Sequence, residues 1–422
     1  MKINKTFMLM LLLMFMSQFG YSQSHKDYEF HGYWRLGVNT DANLLDEVSD
    51  TQGEHKIFHN IPTTRHARGP NYFWLQLIKN FDQGIVAVFK IDSELDAMPH
   101  ESNQWNKSEL RIRDLYLQLP LFDNSSYLWF GSRVFEFESI RLFDKLNHFD
   151  LNAHGVGLKL WNTDLVLSFT KDDVLNDKDE STCRYRKNVT FLFRHEVLLG
   201  EGLALKPMFK FINYGTLPED NQDPTNKPEI KGTTAYSIGG VLSRWSGKDW
   251  GNTMVWVESR PVDNYGDKSG RDTLLGIAES CNYDFEYFGL LLGAFLEFNQ
   301  FNDKQQVYKV KSGSLVQDED NTTKSVVKLS LGVQPVYYIT SRLHAALDIN
   351  KTYQDKYIND YSFSSFLITP ILRYSLDKTP IGVPQIYTSI TYGQYDWKAK
   401  KKGNSELTDN LITTQSGFEI WF

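Results

Sequence analysis

The chain has 422 residues, a formal net charge of -7, 14% aromatic residues and only two cysteines. The negative charge argues against a nucleic-acid partner, whose phosphates want the opposite sign. After the first 22 residues no run of 18 apolar residues occurs, which excludes helical membrane spans. The length would suit two or three soluble domains, yet the chain shows no linker, low-complexity tract or break in composition. One large single-layer sheet explains it better.

In chain order, Lys2 and Lys5 precede an apolar run from Phe7 to Phe19, and Gly20-Tyr21-Ser22 supplies small residues at the usual spacing before a cut. Residues 1–22 therefore read as a secretory signal peptide. No Cys follows the run, so lipoprotein processing is not expected. Loss of the two lysines takes the charge from -7 to -9. Residues 23–422 are read as a single barrel domain.

Tyr28 to Asn39 alternates Phe30, Trp34, Leu36 and Val38 on one face with Glu29, His31, Tyr33 and Arg35 on the other. Period-2 runs of this kind recur between polar, Gly- or Pro-bearing stretches. They predict strands over 28–40, 71–80, 85–95, 110–119, 127–135, 154–161, 164–172, 187–198, 203–214, 233–244, 252–261, 273–280, 285–298, 325–338, 342–353, 362–375, 385–397 and 409–422. Connections after odd-numbered strands are long and charged, while Phe81-Gly84, Asn162-Thr163, Leu199-Gly202 and Ile339-Ser341 are short. Long external loops, short periplasmic turns and an even count of about 18 strands are the pattern of an outer-membrane β-barrel. The fold class is thus all-β, a transmembrane antiparallel barrel in a Gram-negative-type outer membrane.

Val327, Leu329, Leu331 and Val333 should face lipid, and Lys328, Ser330 and Gln334 the interior. A charge on the lipid face near the midplane costs roughly 2–4 kcal/mol, so the charges mark the inside. The run Arg111 to Tyr116 does not alternate and suggests a bulge or a pore-side insertion. About eighteen strands enclose more space than side chains fill, so the interior is expected to hold water. Cys183 and Cys281, 98 residues apart, fall on opposite sides of the membrane in this map and are read as unpaired. The last strand places Thr414, Ser416, Phe418, Ile420 and Phe422 on one face and Gln415, Gly417, Glu419 and Trp421 on the other. It should pair with the first strand to close the sheet.

No G-x-S-x-G, H-E-x-x-H or P-loop motif and no Cys/His ligand cluster occurs, so neither an enzyme nor a metal or organic cofactor is expected. Tyr33, Trp74 and Trp421 fall on inward positions of strands that adjoin in a closed barrel, with Arg35, Gln76 and Glu419 on the same faces. Aromatic planes can hold the apolar face of a sugar ring while charged groups hydrogen-bond its rim. The same aromatics could instead be girdle residues or fill the barrel rim. Residues 136–153 mix apolar side chains with both signs of charge, which suits either a pore-narrowing loop or an outward solvated one. Thr216 to Lys231 and Asn302 to Lys324 read as external surface.

Phe30-His31-Gly32-Tyr33-Trp34-Arg35-Leu36-Gly37, Trp129-Phe130-Gly131-Ser132-Arg133, Gly332-Val333-Gln334-Pro335-Val336-Tyr337 and Glu419-Ile420-Trp421-Phe422 resemble the maltoporin-like, sugar-specific porin family. The resemblance implies an 18-stranded homotrimer through which maltodextrin-like oligosaccharides diffuse across the outer membrane. It implies an aromatic slide of Tyr33, Trp74 and Trp421 flanked by polar tracks with Arg35, Arg113 and Arg133. Gln76 stands where the family usually has a carboxylate, and Asp144 matches an acid of the constriction loop. Lys328 or Leu329 replaces a further slide Trp, Ser139 another constriction acid, and Leu146 or Asn147 the pore-narrowing Tyr. The first-loop cysteine pair is missing. A general or ion-selective porin, an adhesion barrel with its function in the outer loops, and a soluble secreted β protein are the competing readings.

Overall fold

A computed structural model describes residues 28–39, 71–95, 109–123, 125–135, 151–174, 184–216, 232–261, 271–311, 314–357, 361–378, 384–399 and 406–421. Within them the strands are β1 (Tyr28–Asn39), β2 (Asn71–Asn80), β3 (Val86–Leu95), β4 (Glu109–Pro120), β5 (Tyr127–Phe135), β6 (Leu151–Leu160), β7 (Thr163–Val174), β8 (Arg184–His195), β9 (Val197–Gly200) and β10 (Leu203–Tyr214). There follow β11 (Thr233–Ser246), β12 (Asp249–Pro261), β13 (Arg271–Asp284), β14 (Phe288–Lys311), β15 (Ser314–Tyr338), β16 (Leu343–Tyr357), β17 (Tyr361–Ser375), β18 (Gln385–Ala399) and β19 (Glu406–Trp421).

Apart from β8 and β9, each strand pairs antiparallel with its neighbour in sequence, and β19 pairs with β1 to close the barrel. β8 and β9 are two pieces of one rung broken at Glu196, both pairing with β10, so nineteen segments occupy eighteen positions. Along β13, Leu275 and Ile277 are exposed while the alternate Asp272, Leu274, Ala278 and Ser280 are buried. Apolar side chains that stand out, with polar ones turned in, invert the order of a soluble protein and suit a lipid-facing wall. The expected bulge lies between Lys90 and Ile91, where Arg113 is the extra residue and both it and Asp114 turn inward.

Three features differ from the sequence reading. β14 and β15 pair as far as Lys311 and Ser314, so most of the connection expected over 299–324 is strand. Val307, Tyr308 and Val310 on one side and Leu315 and Val316 on the other flank Ser312-Gly313, a two-residue turn signal that the acidic run conceals. β6 begins at Leu151, shortening the preceding connection to 136–150. The interior is also unevenly polar. Met208, Val241, Met254, Trp256, Leu274, Ala278, Leu291 and Phe295 form a buried apolar cluster on the inward face of β10–β14.

On β15–β18 the inward face is polar yet sheltered from solvent. Ser330 meets Thr352 at 3.0 Å, Asn350 donates to Ser330 at 3.3 Å, and Thr369 meets Thr391 at 3.0 Å. At the periplasmic mouth, Lys248 in the β11–β12 turn reaches Asp377 beyond β17 at 3.4 Å, and Lys378 donates to the Glu286 carbonyl at 2.7 Å. These contacts cross strands that are not neighbours, so the turns lean over the opening. Cys281 is a buried free thiol, whereas Cys183 lies outside the described residues.

Candidate functional site

The register of three strands builds the site. Tyr33 on β1 stands directly opposite Trp421 on β19 and Trp74 on β2, so the three aromatics are consecutive in one row. The Tyr33 and Trp421 rings lie 4.7 Å apart, and Tyr72 adds a third ring 5.9 Å from Tyr33. Trp74 is capped by the Lys90 ammonium 4.4 Å from its ring centroid, a cation–π contact from β3. The row continues into charge, because Trp74 faces Asp92 and Asp92 faces Arg111.

The adjacent row holds Glu419, Arg35 and Tyr72, with Arg35 between the other two. Glu419 is buried and accepts a hydrogen bond from Gln385 at 2.9 Å. The row on the other side runs His31, Gln76, Lys90 and Asp114. Six of the expected residues, Tyr33, Trp74, Trp421, Arg35, Gln76 and Glu419, thus occupy three neighbouring rows of the inner wall.

Arg113 joins them through the bulge. Its Nη1 donates to the Tyr72 hydroxyl at 2.6 Å and to Asp92 Oδ2 at 2.8 Å, while Arg111 Nε donates to Asp92 Oδ1 at 3.0 Å. Two guanidiniums therefore compensate one carboxylate whose side chain is only 3% exposed, and Arg111 keeps 48% of its own side chain exposed. The net charge of this cluster is positive, and its donors form a fork geometry suited to vicinal hydroxyls or anions.

Arg133 sits apart, in an aromatic nest on β4 and β5. Its guanidinium lies 4.7 Å from the Phe135 ring, 5.0 Å from Tyr116 and 5.8 Å from both Tyr127 and Trp129. Trp129 lies flat over Gly157, where any β-carbon would collide with its indole. Asp114 beside the nest accepts the Val134 amide at 2.7 Å. Asp144 and the connection 136–150 fall outside the described residues. Lys328, rather than Leu329, takes the inward position where the resemblance places another slide aromatic, and pairs with buried Glu297 at 2.8 Å.

The sequence reading missed Tyr72, Lys90, Asp92, Arg111 and Asp114. Lys90 and Asp92 carried a usable signal, since charges at alternate positions of a strand whose intervening residues Phe89 and Ile91 are apolar must face inward.

A family model described as LamB porin matches residues 28–252. No curated protein matches the sequence. Among solved structures the fold is similar to an anion-selective porin from Comamonas acidovorans, at 12% identity and TM-score 0.44, covering 94% of this chain and 99% of that one. It is also similar to the outer membrane channel DcaP of Acinetobacter baumannii, at 14% identity and TM-score 0.42, covering 95% of this chain and 99% of that one. OmpT of Vibrio cholerae in its trimer form matches at 8% identity and TM-score 0.42, covering 94% and 99% of the two chains.

Proposed function

The chain belongs to the LamB porin family, and on that premise we propose that this outer-membrane porin is a homotrimer that carries maltodextrin-like oligosaccharides inward by facilitated diffusion. The observation that supports this reading most is the row Trp421–Tyr33–Trp74, aligned across three adjoining strands. A pyranose slides its apolar face over these rings while its hydroxyls exchange partners along Arg35 and Glu419 on one side and Gln76 on the other, with Arg111 and Arg113 at the end of the row. Each contact is weak and has a neighbour of the same kind, so the sugar moves without a deep trap. Arg133 extends the polar track, and Asp144 is assigned to the constriction. No chemical step is involved, and an N-terminal signal peptide delivers the chain.

A second reading, a general or ion-selective porin, draws on the Lys328–Glu297 pair that stands where a slide aromatic would be. The deciding experiment is single-channel conductance of the refolded protein in a planar bilayer, titrated with linear maltodextrins and other glycans. Current in triplets, blocked saturably by one glycan class, is the expected result. Steady conductance indifferent to every sugar would overturn the sugar reading and leave the second.

A further inference from the structure

The outward wall around β11–β14 is apolar, with Ile238, Val255, Ile277 and Leu296 exposed. Arg244 and Glu279 interrupt it. Arg244 lies on β11 directly before the exposed Trp245, two residues from the periplasmic end of its strand, and shares the outward parity of Ile238. Its cross-strand partner on β12 is Gly251, and the guanidinium lies across that glycine, where a β-carbon would come within 2.7 Å of Nη2. It thereby reaches Glu279 on β13, whose other carboxylate oxygen accepts from Thr253 Oγ1.

The pair is neither hidden nor at a loop tip. The Arg244 side chain is 44% exposed and that of Glu279 31%, in neighbouring rows of the outward wall near the exposed Tyr283. Opposite charges left half-open to hydrocarbon carry a desolvation cost that their mutual attraction only partly offsets. A ligand carrying a phosphate and an ammonium a few ångströms apart matches both charges in order. A lone anion would be repelled by Glu279, and a lone cation by Arg244.

We propose that Arg244, Glu279 and Thr253 form a site for a zwitterionic phospholipid headgroup of the periplasmic leaflet that ends in a primary ammonium. The phosphate takes guanidinium donors of Arg244, the ammonium donates to Glu279, and the acyl chains lie along Val255 and Ile277. Gly251 is the residue that lets the guanidinium lie flat enough to present its edge to the bilayer.

The test is native mass spectrometry of the full-length protein in detergent, titrated with phosphatidylethanolamine, phosphatidylcholine and phosphatidylglycerol of identical chains. Retention of the ethanolamine lipid about tenfold above the other two is expected, a difference of one charge-assisted hydrogen-bond set. Glu279→Gln should erase that preference, and Arg244→Gln should lower retention of all three. Equal retention of the three by the wild-type chain, or preference for the glycerol headgroup, would overturn the proposal without recourse to any variant. So would variants that change the number of copies in the assembly while lipid retention stays the same, since the pair would then belong to a contact between copies.

Discussion

Two arcs of the same inner wall use polar residues in opposite ways. On β15–β18 many are short hydroxyl and amide groups, and several bond sideways to the next strand, as Ser330 with Thr352 and Thr369 with Thr391 do at 3.0 Å. On β1–β4 and the end of β19 they are long, charged or aromatic, and they project, with Arg111 half exposed beside a buried Asp92. Polar content therefore does not decide whether a barrel wall can meet a solute. Side-chain reach does: a hydroxyl bonded to the next strand stays close against the wall, whereas a guanidinium carries several donors out on a longer stem.

The largest effect that would sharpen this contrast comes from Arg113→Gln, which leaves Asp92 with Arg111 as its guanidinium partner and the Tyr72 hydroxyl at 3.3 Å. A destabilisation of about 2–3 kcal/mol is expected from weakening a buried ion pair. Heat-modifiable migration should report it, and Asp92→Asn in the same chain should restore part of the loss.

Next in size, Trp421→Ala removes the ring 4.7 Å from Tyr33. Saturable block by the best glycan should weaken about tenfold, or ~1.4 kcal/mol. Block that persists unchanged would show that the aromatic row is structural.

On the sheltered arc, Thr369→Val leaves Thr391 without the hydroxyl it now meets. It should lower stability by ~1 kcal/mol and leave glycan block untouched. An equal effect on block would erase the distinction between the arcs.

The smallest effect concerns the β4–β5 turn below the exposed arc. Asp123 accepts from the Ser125 hydroxyl and amide, both at 2.9 Å, and the hydroxyl contact is the main cause that holds its carboxyl below the usual range. Because the folded value is depressed, the stabilisation is present above the ordinary carboxylate range and fades as pH falls through the lowered value. The difference in melting temperature between the wild type and Ser125→Ala should therefore vanish in strong acid. A difference that grows on acidification would contradict this.

The fold was legible because charges at period 2 mark the inside of a barrel wherever they occur. Tyr33, Trp421 and Arg35 could be placed from that pattern and from the pairing of first and last strands. It fails where both faces are apolar. Phe288 to Phe298 reads Phe-Gly-Leu-Leu-Leu-Gly-Ala-Phe-Leu-Glu-Phe, so nothing before Glu297 distinguishes inward Leu291 and Phe295 from outward Leu296. The inward apolar cluster was invisible for that reason. Arg113 escaped the pattern differently, since a bulge shifts parity by one residue and brings it beside Tyr72 only in three dimensions. Arg133 entered only through the resemblance, and its nest draws rings from two strands.

The β19–β1 seam makes Trp421 and Tyr33 partners across the join of the last strand with the first. Before that join forms, the two rings belong to separate free edges, and the aromatic row does not exist. The lane is therefore a product of the final assembly step. A closure slipped by two residues would keep every side chain on its proper face, yet it would set Tyr33 opposite Glu419 instead of Trp421. Such a barrel would be closed and apolar on its outside, yet Tyr33 and Trp74 would have lost the third ring, so registry at one seam decides whether the row is complete.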